Sequence, residues 1–520
     1  MCKYRSGYPL LKINITMVKV RRALISVWEK KGVLELARKL AELKIEIIST
    51  GKTASLLRAS SIPVKEVSSV TSFPEILSGR VKTLHPKVFG GILANKKHPL
   101  HMEEIKSLNI EPIDMVVVNL YPFLLKLNEK LTFDDMMEYI DIGGVSLLRA
   151  AAKNFKNVAS VSSPTQYKML IEELDKNKGE LTDETLKLLA QEAFYVTKEY
   201  DNTIYNYFAS RDVLTLDLEK ISDLRYGENP HQRGALYKLA KAQEIKYKQI
   251  QGKELSYNNL LDLDTAVAIV RDFAECAVSI VKHASICGVG IDKRLSQAYK
   301  KAYLCDPLSS FGGIVGINRK VDKDTAEQFI KSDFKECVIA PSYSKEALKV
   351  FSTKKNLRVL EADFHQKLNY KDIRTTSFGY LMQDRDTVNL EKTNLKVVTK
   401  KKPTQQELKD MMLAWKIAKY VRSNAIVLAK NQTVLGVGGG QPSRVGAAKI
   451  ALSMAKKSCH GAVLASDGFF PKEDSIKVAY KKGIRAIIQP GGSIKDNDLI
   501  KLCDKLRISM VFTGIRHFRH

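Results

Sequence analysis

Residues 23–60, ALISVWEKKGVLELARKLAELKIEIISTGKTASLLRAS, decide the fold class. ALISV (23–27) is a short apolar run of strand length, and GVLELARKLAEL (32–43) repeats its apolar residues at helical spacing. IEIIST (45–50) reads as a second strand and TASLLRAS (53–60) as a second helix. Strand and helix in alternation build a parallel sheet with helical crossovers, so the class is α/β. MVVVNLY (115–121) supplies a third strand, all apolar before Asn119, as expected where helices cover both faces. Helical text from Thr182 to Phe208 closes this part. The stretch SRDVLTLDLEKISDLRYGENPHQ (210–232) reads as a polar, irregular linker, which places a domain boundary near residue 215. Beyond it AVSIVKH (277–283), GGIVGI (312–317), AIVLAK (425–430), VLGVGGGQ (434–441) and IRAIIQPGGS (484–493) are again α/β text. Three lysines and a proline at 400–403 interrupt that pattern and would divide residues 216–520 into two halves; no short repeat is read.

The composition narrows the function classes. A chain of 520 residues with 44% hydrophobic and 27% charged residues is ordinary globular material, which excludes disorder, collagen and coiled coil. Its strongest apolar stretch, Met115 to Leu125, is broken by Asn119 and Pro122 and falls far short of the about 20 residues a membrane helix needs. Seven scattered cysteines without a C-x-x-C pair fit a reducing cytosol. The net charge of +27 invites a nucleic-acid reading, since Lys and Arg neutralise phosphates. The lysine doublets, however, are spread over the whole chain, which favours a solvated basic surface and at most nonspecific nucleic-acid binding. Residues 1–16 are basic, with Lys12 interrupting any signal-peptide core; they read as a dispensable extension before Met17.

In open α/β sheets ligands bind beyond the carboxyl ends of strands. There, Ser49-Thr50-Gly51-Lys52-Thr53 combines hydroxyls, a glycine and a helix start, an anion site in outline that an ordinary N-cap would also explain. Arg80 to Lys87, RVKTLHPK, is a cationic run broken by Thr, Leu and Pro and followed by Gly90-Gly91, as in a shaped loop. Asn119 to Phe123 ends the strongest strand, and Asp141 to Gly144 opens a helix containing Arg149 and Lys153. Lys282-His283 follows the strand AVSIV; a histidine there is either structural or a base of near-neutral pKa. His98 and His101 read as a surface loop.

Taken together, SVWEKKG, STGKTA, GRVKTLHPKVFGG, NLYPF and DIGGVSLLRAAAKN closely resemble, in order and spacing, the cyclohydrolase half of the bifunctional purine biosynthesis proteins that combine AICAR formyltransferase and IMP cyclohydrolase. LRYGENPHQ, QGKELSYNN, VKHASICGV, DPLSSFGGI, RSNAIVLAKN, GGGQPSRV, SDGFFP, QPGGSIKD and FTGIRHFRH extend the resemblance to residue 520. It implies a methylglyoxal-synthase-like parallel-sheet domain over residues 17–215 and a transformylase region over 216–520 with cytidine-deaminase-like halves. Phosphate-binding positions then fall on Ser26, Lys30, Ser49, Thr50, Gly51, Thr53, Arg80 and Thr83, and reacting positions on Lys82, Tyr121, Asp141 and Lys153. Transformylase positions fall on Lys282, His283 and Asn431. Arg225, Tyr226, Phe311, Gly312, Arg444, Asp467, Phe469, Arg516, Phe518 and His520 match the lining of the nucleotide or folate sites.

The implied substrates are AICAR, formyl-AICAR, IMP and, as one-carbon co-substrate, 10-formyltetrahydrofolate, with no metal or redox cofactor and a homodimer in the cytoplasm. A relic with one activity, or a basic nucleotide or nucleic-acid binding protein on the same scaffold, are the alternatives. The chain departs from the family pattern at Ser285-Ile286, where Asn-Pro is usual, and at Trp28-Glu29, Lys52, Phe89, Phe378 and Gly468. A loop without its stiffening proline beside Lys282-His283 is expected to slow formyl transfer, and bulky Trp28 to disturb binding at the cyclohydrolase phosphate site.

Overall fold

A computed structural model describes residues 17–209, 213–240, 247–364, 371–390 and 395–520. The extension read over residues 1–16 lies outside them. The chain divides into two compact units, the second beginning at Leu216.

In the first unit five parallel strands lie in the order Lys65–Glu66, Glu46–Ser49, Arg22–Val27, Met115–Asn119, Ala159–Val161. Helix Val33–Glu42 buries Val33, Leu36, Ala37 and Leu40, one stripe at i, i+3, i+4, i+7 against the sheet. Helix Gly51–Ala59 starts two residues before its apolar pattern does, because Gly51 and Lys52 carry no apolar side chain to mark the first turn. The central strand Arg22–Val27 has its successor on one side and Met115–Asn119 on the other, which makes the gap between their carboxyl ends the switch point of the sheet. Asn119 bridges that gap: its Oδ1 accepts from the N–H groups of Trp28 (2.6 Å) and Glu29 (2.9 Å), and its Nδ2 donates to the Glu29 carbonyl (2.9 Å). His98 and His101 are not in a loop; they open the helix Pro99–Ser107, their rings stacked at 4.3 Å on the exposed surface.

The second unit is built on one twelve-stranded mixed sheet with two exposed hairpins beside it. The supposed linker holds the first strand of one of these, Leu218–Leu224, which pairs with Gly234–Leu239 just beyond it; with nearly all its side chains in solvent, the strand shows no buried alternation to read. The main sheet is a duplication. Helix Tyr257–Arg271, hairpin Ala277–Lys282/Ser285–Ile291, helix Leu295–Cys305 and strands Ile314–Ile317, Cys337–Ala340 and Arg358–Ala362 form one half. Helix Gln405–Ala418, hairpin Ile426–Lys430/Thr433–Gly438, helix Arg444–Ala455 and strands Val463–Ser466, Ala486–Gln489 and Ser509–Phe512 repeat it. The halves join where Ser285–Ile291 runs antiparallel to Thr433–Gly438.

A repeat is therefore present in the sequence after all: KHASICGVG (282–290) and KNQTVLGVG (430–438). Its glycines are positions of close approach. A Cβ on Gly288 or Gly438 would stand 2.0 Å from the carbonyl oxygen of Ala302 or Ala447 in the following helix. Each half buries apolar residues on both sheet faces, and the fully buried Trp415 sits in the core that spans the two.

Candidate active sites

At the switch point of the first unit, strand ends and helix starts bring cations and hydroxyls together in one pocket-like cluster. Ser26 and Thr50 hydroxyls lie 3.1 Å apart, and Lys30 Nζ donates to Thr53 Oγ1 at 2.8 Å. Burial, then the nearby charges of Lys52 and Lys82, lower the Lys30 ammonium from its ordinary value. Cations crowded beside the first turn of a helix favour a bound anion. Ser49 is spent otherwise: its buried hydroxyl donates to the Ile25 carbonyl at 2.6 Å. Arg80 is exposed and paired with Glu138, and buried Thr83 faces Gly143 at the head of helix Gly143–Lys153.

Next to this pocket stand the reacting candidates. Lys82 Nζ is 3.0 Å from Glu75 Oε1 and would be 3.6 Å from a Cβ on Gly51, so it reaches the anion loop. Burial raises the Asp141 carboxyl above the usual range, against the N–H bonds it accepts from Gly144 and Tyr121. Burial and then the Asp141 charge push the Tyr121 phenol up, which keeps its proton in place as a donor at neutral pH. Trp28, 48% exposed, lies with its ring 5.0 Å from that of Tyr121 and adds an apolar wall. Within one chain Lys153 does not join them: it is exposed in the last turn of helix Gly143–Lys153, about 15 Å along the axis from Gly143, which follows Asp141 by two residues. Glu75 and Tyr200, whose Oη accepts from the Asp141 N–H (2.8 Å), were not legible as site residues. Tyr200 reaches the site through tertiary packing and Glu75 through the local loop closed by the Ile76–Val81 bridge, and no periodic or motif signal marks either.

In the second unit Lys282 and His283 lie at the tip of a hairpin. His283 and Ala284 form its two-residue turn, both at positive φ (+55° and +51°), and Lys282 Nζ donates to the Phe311 carbonyl at 2.8 Å, beside Gly312. The expected loosening at Ser285-Ile286 is offset locally, because Ser285 pairs with Lys282 in the ladder and Ile286 is buried in the core. Arg225 lies over the Tyr226 ring, 5.0 Å from its centroid, and the same turn is held to the Asp262 helix by a bond from Asn258 Nδ2 to the Glu228 carbonyl (3.2 Å).

On the same edge of the sheet a cleft of about 440 Å³ is lined by Asn424, Arg444, Phe469, Pro471, Lys472 and Phe518, among others. Arg444 is buried and bonded to Asp467, Ser466 and Asn424; Asp467 itself is fully buried and shapes the cleft from behind. Arg516 stacks on Phe518 at 4.5 Å, and the His520 carbonyl accepts from Arg374. Asn431 is elsewhere. It turns the second hairpin, beside Ile291 at the far end of the strand that starts next to His283, about 20 Å away within one chain. Ser423, whose Oγ donates to Asp467 at 2.6 Å, and Asn424 belong to RSNAIVLAKN, a motif that by itself gives neither a role. Among the described residues no group of three or more His, Cys, Asp or Glu is arranged to hold a metal ion.

The family model described as AICARFT/IMPCHase bienzyme matches residues 151–454, and that of the MGS-like domain residues 32–146. The bifunctional purine biosynthesis proteins PurH of Bacillus cereus (strain AH187) and of Bacillus anthracis are each 48% identical to this chain over 511 residues, covering 96% of it and 100% of themselves. A solved structure described as the crystal structure of ForH is 30% identical, covers 37% of this chain and 99% of that one, and superposes with a TM-score of 0.32. With the likeness running over nearly the whole of both chains, this chain belongs to the AICARFT/IMPCHase bienzyme family and begins with an MGS-like domain.

Proposed function

We propose that the chain transfers the formyl group of 10-formyltetrahydrofolate to the amine of AICAR and then closes formyl-AICAR to IMP with loss of water, with cyclisation in the unit before residue 216 and formyl transfer in the unit after it. The observation that carries this reading is that the reacting groups fall into two separate sets, one on each compact unit. In the first, Lys30, Ser26, Thr50 and the first turn of Gly51–Ala59 take the nucleotide phosphate. Asp141 accepts the carboxamide proton as nitrogen attacks the formamide carbon, and Lys82 with the Tyr121 hydroxyl stabilises the oxygen that gains charge and leaves as water. Lys153, at the far end of its helix, is given no role in this step. Trp28 packs beside Tyr121 among the reacting candidates, so its bulk is compatible with anion binding at Lys30 and Thr50.

In the second unit the AICAR amine is a weak nucleophile, its lone pair delocalised into the imidazole ring. His283 removes its proton as the bond to the formyl carbon forms, and Lys282 stabilises the tetrahedral oxyanion or protonates the departing folate nitrogen. Asn431 holds the formyl oxygen only if a second copy of the chain brings it to His283, so this role requires a homodimer. The hairpin Lys371–Thr376/Gly379–Asp384, which exposes Ile373, Phe378, Tyr380, Leu381 and Met382, supports such a pairing. A dimer is the expected result of sedimentation at micromolar concentration; a monomer that transfers formyl groups at full rate would exclude the shared site.

No helix among the described residues is long and apolar enough to cross a membrane, and the cysteines described are free, in keeping with a cytosolic enzyme. The basic surface is assigned no specific nucleic-acid partner. Incubation with AICAR and 10-formyltetrahydrofolate is expected to yield tetrahydrofolate and IMP in equal amounts. Tetrahydrofolate without IMP would reduce the protein to a transformylase, and neither product would sink the reading.

A further inference from the structure

The hairpin turn at His283 is one of two built alike. His283 and Ala284 stand at φ +55° and +51°, Asn431 and Gln432 at +51° and +57°, and none of the four is glycine, the residue that takes such backbone without cost. Each turn is met by one carboxylate from the helix that precedes its hairpin. Asp262 accepts from the N–H groups of His283 (3.1 Å) and Ala284, one on each oxygen. Asp410 accepts from those of Asn431 (2.9 Å) and Gln432 (2.7 Å), again one on each oxygen. Both aspartates are buried, and their spacing to Lys282 and Lys430 is the same. The side chains that the two turns display, in contrast, differ: an imidazole in one and a carboxamide in the other.

Resting on the transformylase reading above, we propose that Asp262 and Asp410 are positioning residues for formyl transfer, each clamping a glycine-free left-handed turn so that His283 or Asn431 is presented in one direction. A carboxylate suits this task because it offers two acceptors and no donor to two converging N–H groups. An asparagine has one acceptor and would turn its NH₂ toward the other N–H. The turn is then free to swing, and a catalytic group displaced by about 1 Å loses roughly 10²-fold in rate.

The test is D262N in the full-length chain. Formyl-transfer kcat is expected to fall about 10²-fold with the KM for AICAR within about threefold of wild type, while cyclisation of supplied formyl-AICAR is unchanged. D410N should show a fall of the same kind. In an H283A background D262N should cost less than about threefold more, because the group it aims is gone. Wild-type kcat in D262N would overturn the proposal, as would a further loss of about 10²-fold on top of H283A, which would mark a role in folding. If the wild-type protein transferred no formyl group, the functional reading would fail by itself. Hydrogen exchange over residues 277–291 would then decide the clamp: faster exchange at the 283 and 284 amides in D262N supports it, and unchanged exchange refutes it.

Discussion

H283A is expected to lower formyl-transfer turnover roughly 10²- to 10⁴-fold, the contribution of a positioned general base. The imidazole is exposed at the hairpin tip and packs into no core, so its removal should leave the fold and the melting temperature nearly unchanged. AICAR binding should change far less than turnover, since the phosphate is held by other groups. K282A should give the same one-sided loss, although Lys282 also braces the Phe311 carbonyl and its removal frees the loop at Gly312. Neither variant should slow the cyclisation of supplied formyl-AICAR, whose proposed residues all lie in the unit before Leu216. Near-normal formyl transfer by H283A, or loss of both activities with the fold intact, would overturn the assignment.

The mirror-image loss is expected from D141N. Removing the base should cut cyclisation roughly 10²- to 10⁴-fold and leave formyl transfer intact. The asparagine oxygen can still accept the Gly144 N–H (2.7 Å), so the start of helix Gly143–Lys153 survives. Burial raises the Asp141 carboxyl, and the base must be ionised to act. Wild-type cyclisation should therefore fall as pH drops through a value above the ordinary carboxylate range, and the residual rate of D141N should be flat there. Stability runs the opposite way with pH: a carboxyl raised on folding destabilises the native state as pH rises through its titration, so D141N should melt no lower than wild type at neutral pH. A steep pH dependence retained in D141N would move the base to another group. Lys153, exposed at the far end of that helix, should tolerate alanine with little loss of ring closure.

The parallel sheet was legible because its strands are short apolar runs and its first helix keeps one stripe at i, i+3, i+4, i+7, a local signal that needs no tertiary knowledge. The strand at Leu218–Leu224 was not, because exposed on nearly every residue it has no inward face to write into the sequence. The duplication was written plainly in KHASICGVG and KNQTVLGVG, yet it is hard to see by eye because only lysine and the Gly-Val-Gly core are shared in full. What the repeat conserves is the geometry of the turn and the close approach of helix to strand, and these tolerate many residue types.

By itself the sequence determined the α/β class, the two successive catalytic texts and the residue types that phosphate, oxyanion and proton transfer require. It did so because strand length, helical period and strand-end motifs are properties of neighbouring residues. Which of those residues meet was decided by tertiary structure alone. Tyr200 comes to Asp141 across a long stretch of chain, the loop closed by the Ile76–Val81 bridge folds Glu75 onto Lys82, Lys153 is carried away by the rise of its own helix, and Asn431 is set at the opposite end of the paired strands from His283. Such distances depend on strand order and antiparallel register, which arise when the two hairpins pair and bury their apolar faces in one core, and no local pattern encodes them.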